Sequence, residues 1–385
     1  MKISDMAKRI QPSLTRKLFD MAKKYDDVID FTLGDPDYET PNYIKEAGCE
    51  AIMLGKTKYS ANAGLPELRS VISKRIQKET GIFYEPTTEI QVTVGAMEGI
   101  FLSLCCLINP GDEVIIPVPY WINYKHMTEI LNGIPVFINT DEEHDFLVTP
   151  EDLKKAISNK TRVIILNSPN NPTGTVYDRE TLLAISEIAN ERDITIIFDE
   201  CYKSILFDGA KFFSILDCPG MKEHAVIVNS CSKRYSMTGW RIGYLAGPEE
   251  LIINMPKLQE NIAACAPLPS QYAAIAALSH DDSASDLMKN GYQKRRNVLI
   301  EGINSIEKLS CKYPKGTFYA MVNIKKTGMG SEEFAYALLK SVQVAVVPGV
   351  AYGDACEGYV RVAYTMDEKK IQEGIKRIKT FVDSL

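Results

Sequence analysis

Val226-Ile-Val-Asn-Ser-Cys-Ser-Lys-Arg-Tyr-Ser-Met-Thr-Gly-Trp-Arg-Ile-Gly-Tyr244 reads as an apolar strand running into a polar turn. The turn sets the hydroxyls of Ser230 and Ser232 near Lys233, and Arg241 follows eight residues on. A lysine beside another cation loses proton affinity and becomes a usable nucleophile, as a Schiff base with an aldehyde requires. Hydroxyls and a guanidinium in one turn also suit a phosphate. Taken alone, the same residues would serve as a solvated Lys-Arg pair after a strand.

Outward from this stretch the pattern repeats. Ile90–Val94, Val114–Ile116, Ile134–Asn139, Val163–Leu166 and Ile194–Phe198 are short apolar runs. Helical segments fall between them at Met97–Ile108, Trp121–Leu131 and Glu180–Ala189. Apolar strands alternating with helices predict an α/β fold with a mostly parallel sheet sandwiched by helices. In such sheets ligands bind beyond the carboxyl ends of the strands. Gly95-Ala96, Trp121, Asn171, Asp199 with Tyr202, and Ser230 with Lys233 all fall at such ends.

The flanks differ. Met6, Ile10, Leu14 and Leu18 recur at helical spacing in a charged arm that ends near Tyr25. Thr40 and Pro41 suggest an N-cap and first turn for a helix running to Leu54. Past Ala246, a long helix is expected over Pro248–Leu278 with a break at Pro267 and Pro269, then another over Ser283–Ser305. Tyr313–Ile324 suggests an antiparallel pair with Gly316 in its turn. A helix over Ser331–Leu339, strands at Val344–Val347 and Gly358–Ala363, and a closing helix from Asp367 complete a smaller α+β domain. The expected division is 1–42 (arm and part of the small domain), 43–285 (large domain) and 286–385 (small domain).

Composition narrows the function. The 385 residues are 45% hydrophobic and 24% charged, with net charge −6 and no basic block. Nucleic acid and anionic membrane are poor partners for such a chain. Nine scattered cysteines without a C-x-x-C suggest reduced thiols and a cytoplasmic location. The four histidines are far apart, so no metal site is expected.

A series of motifs runs along the chain: Phe31-Thr-Leu-Gly-Asp-Pro-Asp37, Tyr59-Ser-Ala-Asn-Ala-Gly-Leu-Pro-Glu-Leu-Arg69, Val94-Gly-Ala-Met-Glu-Gly99, Pro119-Tyr-Trp121 and Asn167-Ser-Pro-Asn-Asn-Pro-Thr-Gly174. Asp199-Glu-Cys-Tyr202, Ser230-Cys-Ser-Lys233, Gly239-Trp-Arg-Ile-Gly-Tyr244 and Tyr359-Val-Arg-Val-Ala-Tyr364 follow, covering nearly the whole chain. In this order they resemble the class I/II aminotransferases, the fold-type-I enzymes that use pyridoxal 5′-phosphate. The resemblance implies a seven-stranded sheet and an exchange of amino groups between an L-amino acid, either aspartate or one with an aromatic or large apolar side chain, and a 2-oxo acid by a ping-pong route.

It also implies roles. Lys233 matches the lysine that holds the cofactor and moves a proton once substrate displaces it. Asp199 matches the partner of the pyridinium nitrogen; a helix cap or a loop ion pair is the alternative for an aspartate at a strand end. Tyr202 and Asn171 match groups that bond the ring oxygen, and Asn171 could equally be a turn residue before Pro172. Gly95, Ala96 and Met97 lead into a helix whose start, with Ser230, Ser232 and Arg241, suits the phosphate. Trp121 matches the aromatic stacked on the ring, and core packing is its alternative. Arg361 matches the clamp on the substrate carboxylate, and Gly34, Trp121 and Asn171 line the substrate side. Tyr59 resembles a tyrosine that reaches the partner subunit's cofactor, which implies a homodimer with shared sites.

Met97 departs from the pattern. Some bacterial aspartate aminotransferases carry a lysine there, paired with the second carboxylate of their substrate. Met97, Tyr120 and Tyr124 could instead favour aromatic or large apolar side chains. A C–S β-lyase on the same fold would use identical cofactor residues. A cofactor-binding regulatory module would be expected to carry a DNA-binding segment.

Overall fold

The computed structural model describes residues 1–10 and 14–385. Twelve strands follow in chain order: β1 Ile29–Asp30, β2 Ile90–Thr93, β3 Glu113–Val118, β4 Ile134–Asn139, β5 Thr161–Asn167 and β6 Thr195–Asp199. Then come β7 Ala225–Ser230, β8 Gly243–Ala246, β9 Tyr319–Asn323, β10 Val344–Ala345, β11 Val347–Pro348 and β12 Tyr359–Ala363. Seven of them form one sheet in the order β2-β8-β7-β6-β5-β3-β4. All its pairings are parallel except those of β8, which runs antiparallel to β2 and β7.

Both faces of this sheet are covered. Successive residues point to opposite sides, so Ile196 and Phe198 join one buried cluster while Ile197 joins the other. Val226 and Val228 likewise oppose Ile227. That double burial explains why these strands are near-continuous runs of Val and Ile. A third core lies around the smaller sheet β11-β12-β9. There Val322, Val360 and Val362 pack with Leu18, Phe31, and Ile371 and Ile378 of the closing helix Glu368–Asp383. The helix Ser283–Asn304 runs unbroken across the expected boundary at 285/286.

Several expectations need correction. Gly243–Ala246 is a strand, and it is the one antiparallel member of the large sheet. Tyr313–Ile324 does not form a hairpin; only Tyr319–Asn323 is a strand, and it pairs with β12. Gly316 is instead a point of close approach. A Cβ there would lie 2.8 Å from the Ile205 carbonyl, and its N–H bonds the Gly174 carbonyl at 2.9 Å. The segment Pro248–Leu278 divides into helices Glu249–Ile252, Met255–Ile262 and Leu268–Ser279. Thr40 does not cap its helix, because its hydroxyl donates to the Ser236 carbonyl at 2.6 Å and accepts from Trp240. A helix over Pro150–Ala156, capped by Thr149, was not anticipated. The arm forms helices Asp5–Arg9 and Leu14–Ala22, and residues 11–13 of that expectation lie outside those described. Among the described residues no helix is long and apolar enough to cross a membrane, and no group of three potential ligands could hold a metal ion.

Candidate active site

A cavity of about 320 Å³ opens at the carboxyl ends of the large sheet. It is walled by the loops after β2, β3, β5, β6 and β7, by Thr32, Leu33 and Gly34, and by Tyr319 and Arg361 of the small sheet. Ala96, Met97, Trp121, Asn171, Asp199, Tyr202, Ser230, Ser232, Lys233 and Arg241 all line it. Gly95 sits one layer back, and Tyr59 lies outside, 87% exposed.

Strand register sets the floor. Asn167 pairs with Asp199, and Asp199 with Val228, so the ends of β5, β6 and β7 lie side by side. The Asn167 amide donates to the Asp199 backbone carbonyl at 3.0 Å and accepts the Asn171 N–H at 2.8 Å, tying two loops together. The Asp199 carboxylate accepts from the Tyr124 hydroxyl at 2.7 Å and from the Cys201 N–H at 3.0 Å. Burial raises its pKa, and these two donors oppose the rise by favouring the ionised form.

Lys233 donates to the Gly34 carbonyl at 2.7 Å. Burial pushes its pKa down to about 8, against the attraction of Asp35 and Cys201, and the positive charges of Arg241 and Arg361 push the same way. A substantial neutral fraction is therefore present at moderately alkaline pH, which is what a nucleophile or proton acceptor needs. The Tyr202 hydroxyl lies 3.2 Å from that of Tyr319, and burial holds its pKa well above the ordinary phenol value.

At one end, Gly95 opens the helix Gly95–Leu107 with φ +75. A side chain there would strike the Arg241 guanidinium, since a Cβ would lie 2.5 Å from its Nη2. Arg241 is steadied by the Thr238 carbonyl at 2.9 Å. At the other end, Arg361 is 1% exposed. It donates to the Thr32 carbonyl at 2.6 Å and to the Asn171 side-chain oxygen at 3.3 Å, and it lies 4.3 Å from the centre of the Tyr319 ring. Its Nε is buried without a hydrogen-bond partner.

Two expectations change here. Tyr120 does not face the cavity; it is buried and stacks on Phe137 at 5.1 Å. Tyr124 does face it, but its hydroxyl is committed to Asp199 and so is not free to select a substrate. Thr32, Asn167, Cys201 and Tyr319 also line the cavity and were missed. Thr32, Asn167 and Cys201 stood inside quoted motifs; for Tyr319 no local signal existed.

The set fits pyridoxal phosphate by its chemistry. One carboxylate sits deep on the floor, two hydroxyls and a guanidinium lie beside a helix start, and a lysine with depressed pKa stands between them and a second arginine.

Kinship agrees. The model for "Aminotransferase class I and II" matches residues 26–378. The chain is 39% identical over 381 residues to aromatic-amino-acid aminotransferase 2 of Thermococcus litoralis, covering 98% of each. It is 40% identical over 381 residues to the aspartate aminotransferase of Pyrococcus abyssi, again covering 98% of each. The solved aspartate aminotransferase of Thermus thermophilus with maleate superposes with a TM-score of 0.94 at 33% identity, over 99% of this chain and 100% of that one. These kinships favour amino-group transfer over a C–S β-lyase. The chain belongs to the class I and II aminotransferases, the pyridoxal-phosphate enzymes of fold type I, and is itself an aminotransferase.

Proposed function

We propose that this enzyme holds pyridoxal 5′-phosphate in the cavity and acts on L-amino acids with aromatic or large apolar side chains, passing the amino group to a 2-oxo acid by a ping-pong route. The observation that carries the reading is Lys233, lowered to about 8 in a cavity that also holds the buried carboxylate of Asp199 and the half-satisfied guanidinium of Arg361.

When bound, the cofactor supplies an aldehyde carbon and an electron-withdrawing ring nitrogen. The protein groups do the rest. Ser230, Ser232, Arg241 and the helix start at Gly95, Ala96 and Met97 would hold the phosphate. Asp199 would face the ring nitrogen, with Tyr124 and the Cys201 N–H favouring its carboxylate form against burial. Tyr202 and Asn171 would donate to the ring oxygen, and Trp121 would cover the ring. Arg361 takes the substrate carboxylate, leaving Lys233 Nζ to remove and return the proton at Cα. Gly34 closes the substrate side, where its carbonyl already holds Lys233.

The side-chain preference follows from charge. Among the described residues the cations lining the cavity are Lys233, Arg241 and Arg361, each engaged in this scheme. Leu33, Met97, Ile100 and Trp121 offer apolar surface and no partner for a second carboxylate. We also read residues 43–285 as the cofactor domain and 1–42 with 286–385 as the small domain. Exposed Ile52, Met53, Leu54 and Tyr59 suit burial in a homodimer, in which Tyr59 would serve the partner's cavity. Nine free cysteines fit a cytoplasmic setting.

The test is a visible absorbance spectrum with single amino acids and steady-state kinetics. A band lost in Lys233→Ala, bleached by phenylalanine and restored by a 2-oxo acid, supports the reading. No band after added pyridoxal phosphate would sink it. Met97→Lys should shift kcat/KM towards aspartate; a wild type that already prefers aspartate would overturn the side-chain assignment.

A further inference from the structure

Arg361 is presented to the cavity by the small sheet, whose one face packs in the small-domain core through Val322, Val360 and Val362 while the face bearing Arg361 meets the large sheet through Met321, Val347 and Tyr359. Its placement therefore depends on what joins the small sheet to the large one. Side chains two residues apart on a strand share a face, so Tyr359 lies on the same face of β12 as Arg361. Asn323 is the residue of β9 directly opposite Tyr359. Both donate to one oxygen of Glu142, Asn323 Nδ2 at 2.9 Å and the Tyr359 hydroxyl at 3.1 Å.

Glu142 stands in the loop that follows β4, the edge strand of the large sheet. The loop is shaped to hold it. Asp145 and Phe146 both adopt φ +54, a left-handed conformation that costs free energy for residues other than glycine. The Phe146 N–H bonds the Asp141 carbonyl at 2.7 Å, and the Asp141 carboxylate accepts the His144 N–H at 2.8 Å. Further ties run from this loop to the small domain. Lys312 binds the Asp145 carboxylate at 2.7 Å and also donates to the Glu142 carbonyl. The Phe146 ring meets the Tyr359 ring edge-on at 5.6 Å. Burial and then the Glu142 charge push the Tyr359 phenol up, so it remains a donor through the working range of pH.

We propose that Glu142 is a positioning residue for Arg361: its carboxylate catches the β9–β12 pair at one edge and so sets how far the guanidinium reaches into the cavity. Two neutral donors on adjacent strands meeting one acceptor fix the inclination of the sheet as well as its distance. The neighbouring position on that face carries the group that meets substrate. A shift of about 1 Å at such a group costs on the order of a hundredfold in kcat/KM, and a smaller shift correspondingly less. The inference rests on reading Arg361 as the carboxylate-binding residue.

The test uses full-length protein and two readouts. In cofactor-loaded enzyme, Glu142→Ala is expected to raise the KM for an amino acid about tenfold with kcat within about twofold and the visible band unchanged. Tyr359→Phe should move KM the same way by less. Adding Tyr359→Phe to Glu142→Ala should change nothing more, since both break one contact. Glu142→Gln, which keeps an acceptor oxygen, should restore most of the loss. By calorimetry, 3-phenylpropionate, a carboxylate without an amino group, should bind Glu142→Ala about tenfold more weakly than wild type. If wild type binds it through Arg361 and Glu142→Ala binds equally well, the positioning role is overturned while the Arg361 reading stands. If Arg361→Lys leaves wild-type binding unaltered, the Arg361 reading falls and this inference falls with it. A loss of melting temperature in Glu142→Ala with KM unmoved would make the contact structural only and overturn the proposal.

Discussion

Lys203 and Lys233 both lie in the interior beside the same two loops, and their surroundings drive them in opposite directions. Lys203 places its ammonium 2.9 Å from Glu79 and 2.9 Å from Glu200, and its pKa is raised far above the ordinary lysine value despite burial. Lys233 meets a backbone carbonyl at 2.7 Å and pairs with no carboxylate among the described residues, and it falls to about 8. Burial penalises the charged form at both, so the partner decides the outcome. The contrast extends along the chain. Asp199 and Lys233 face the cavity, while their sequence neighbours Glu200 and Arg234 face an ion cluster behind it. There Glu79 binds Arg75 at 2.6 Å and Arg234 at 3.0 Å, and Asp282 binds the same two arginines at 2.6 and 2.7 Å. Charges in the cluster pair with one another, whereas the hydrogen bonds of Asp199, Lys233, Arg241 and Arg361 in the cavity are to neutral groups.

The sharpest way to break this comparison is to remove each lysine. Lys233→Ala should lower the turnover of an amino acid by at least about 10³-fold, the scale of a lost nucleophile and proton acceptor. Lys203→Met should keep the visible cofactor band and most of the turnover while unfolding at lower denaturant. Equal loss of turnover in the two variants would show that the cluster shares in the chemistry.

Next in size is the hub. Glu79→Gln leaves three cations facing two carboxylates, and breaking a buried pair costs about 3 kcal/mol. A urea titration should show that loss in the midpoint, with kcat within a few-fold of wild type.

A smaller effect appears with pH in the cofactor-free chain. Labelling of Lys233 by an amine reagent should reach half its maximum near pH 8, with Lys203 unlabelled there. The sign for stability follows. Between about 8 and the ordinary 10.5 the unfolded chain holds a proton that folded Lys233 has released, so its contribution to stability rises with pH. Lys203 behaves oppositely: its contribution is complete below 10.5 and is lost progressively as pH rises from there through its own raised pKa.

The smallest expected change is at Tyr124. Tyr124→Phe removes one of the donors that keep Asp199 ionised, so the Asp199 carboxyl rises and the acid limb of the kcat profile moves to higher pH. One such bond is worth about 1–2 kcal/mol, or roughly tenfold at the acid end.

Much of this was legible along the chain. The alternation of apolar runs with helical segments gave the large sheet, because double burial demands continuous Val and Ile. The loops singled out at strand ends all reach the cavity apart from Gly95, which sits behind Arg241. The antiparallel strand Gly243–Ala246 was hidden inside a motif. The supposed hairpin at Gly316 failed because its glycine serves contact with Gly174 and Ile205, which no local pattern announces. Tyr319 reaches the cavity from a strand of the small-domain core, without turn or cap chemistry to mark it.

By itself the sequence determined the alternation of strand and helix in the large sheet and the kinds of side chain carried at its strand ends, since both follow from residue type and near-neighbour spacing. Only the tertiary structure decided their charge states and partners. Those depend on desolvation and on distances between groups far apart in the chain, such as Lys203 to Glu79, Lys233 to Gly34 and Arg361 to Thr32.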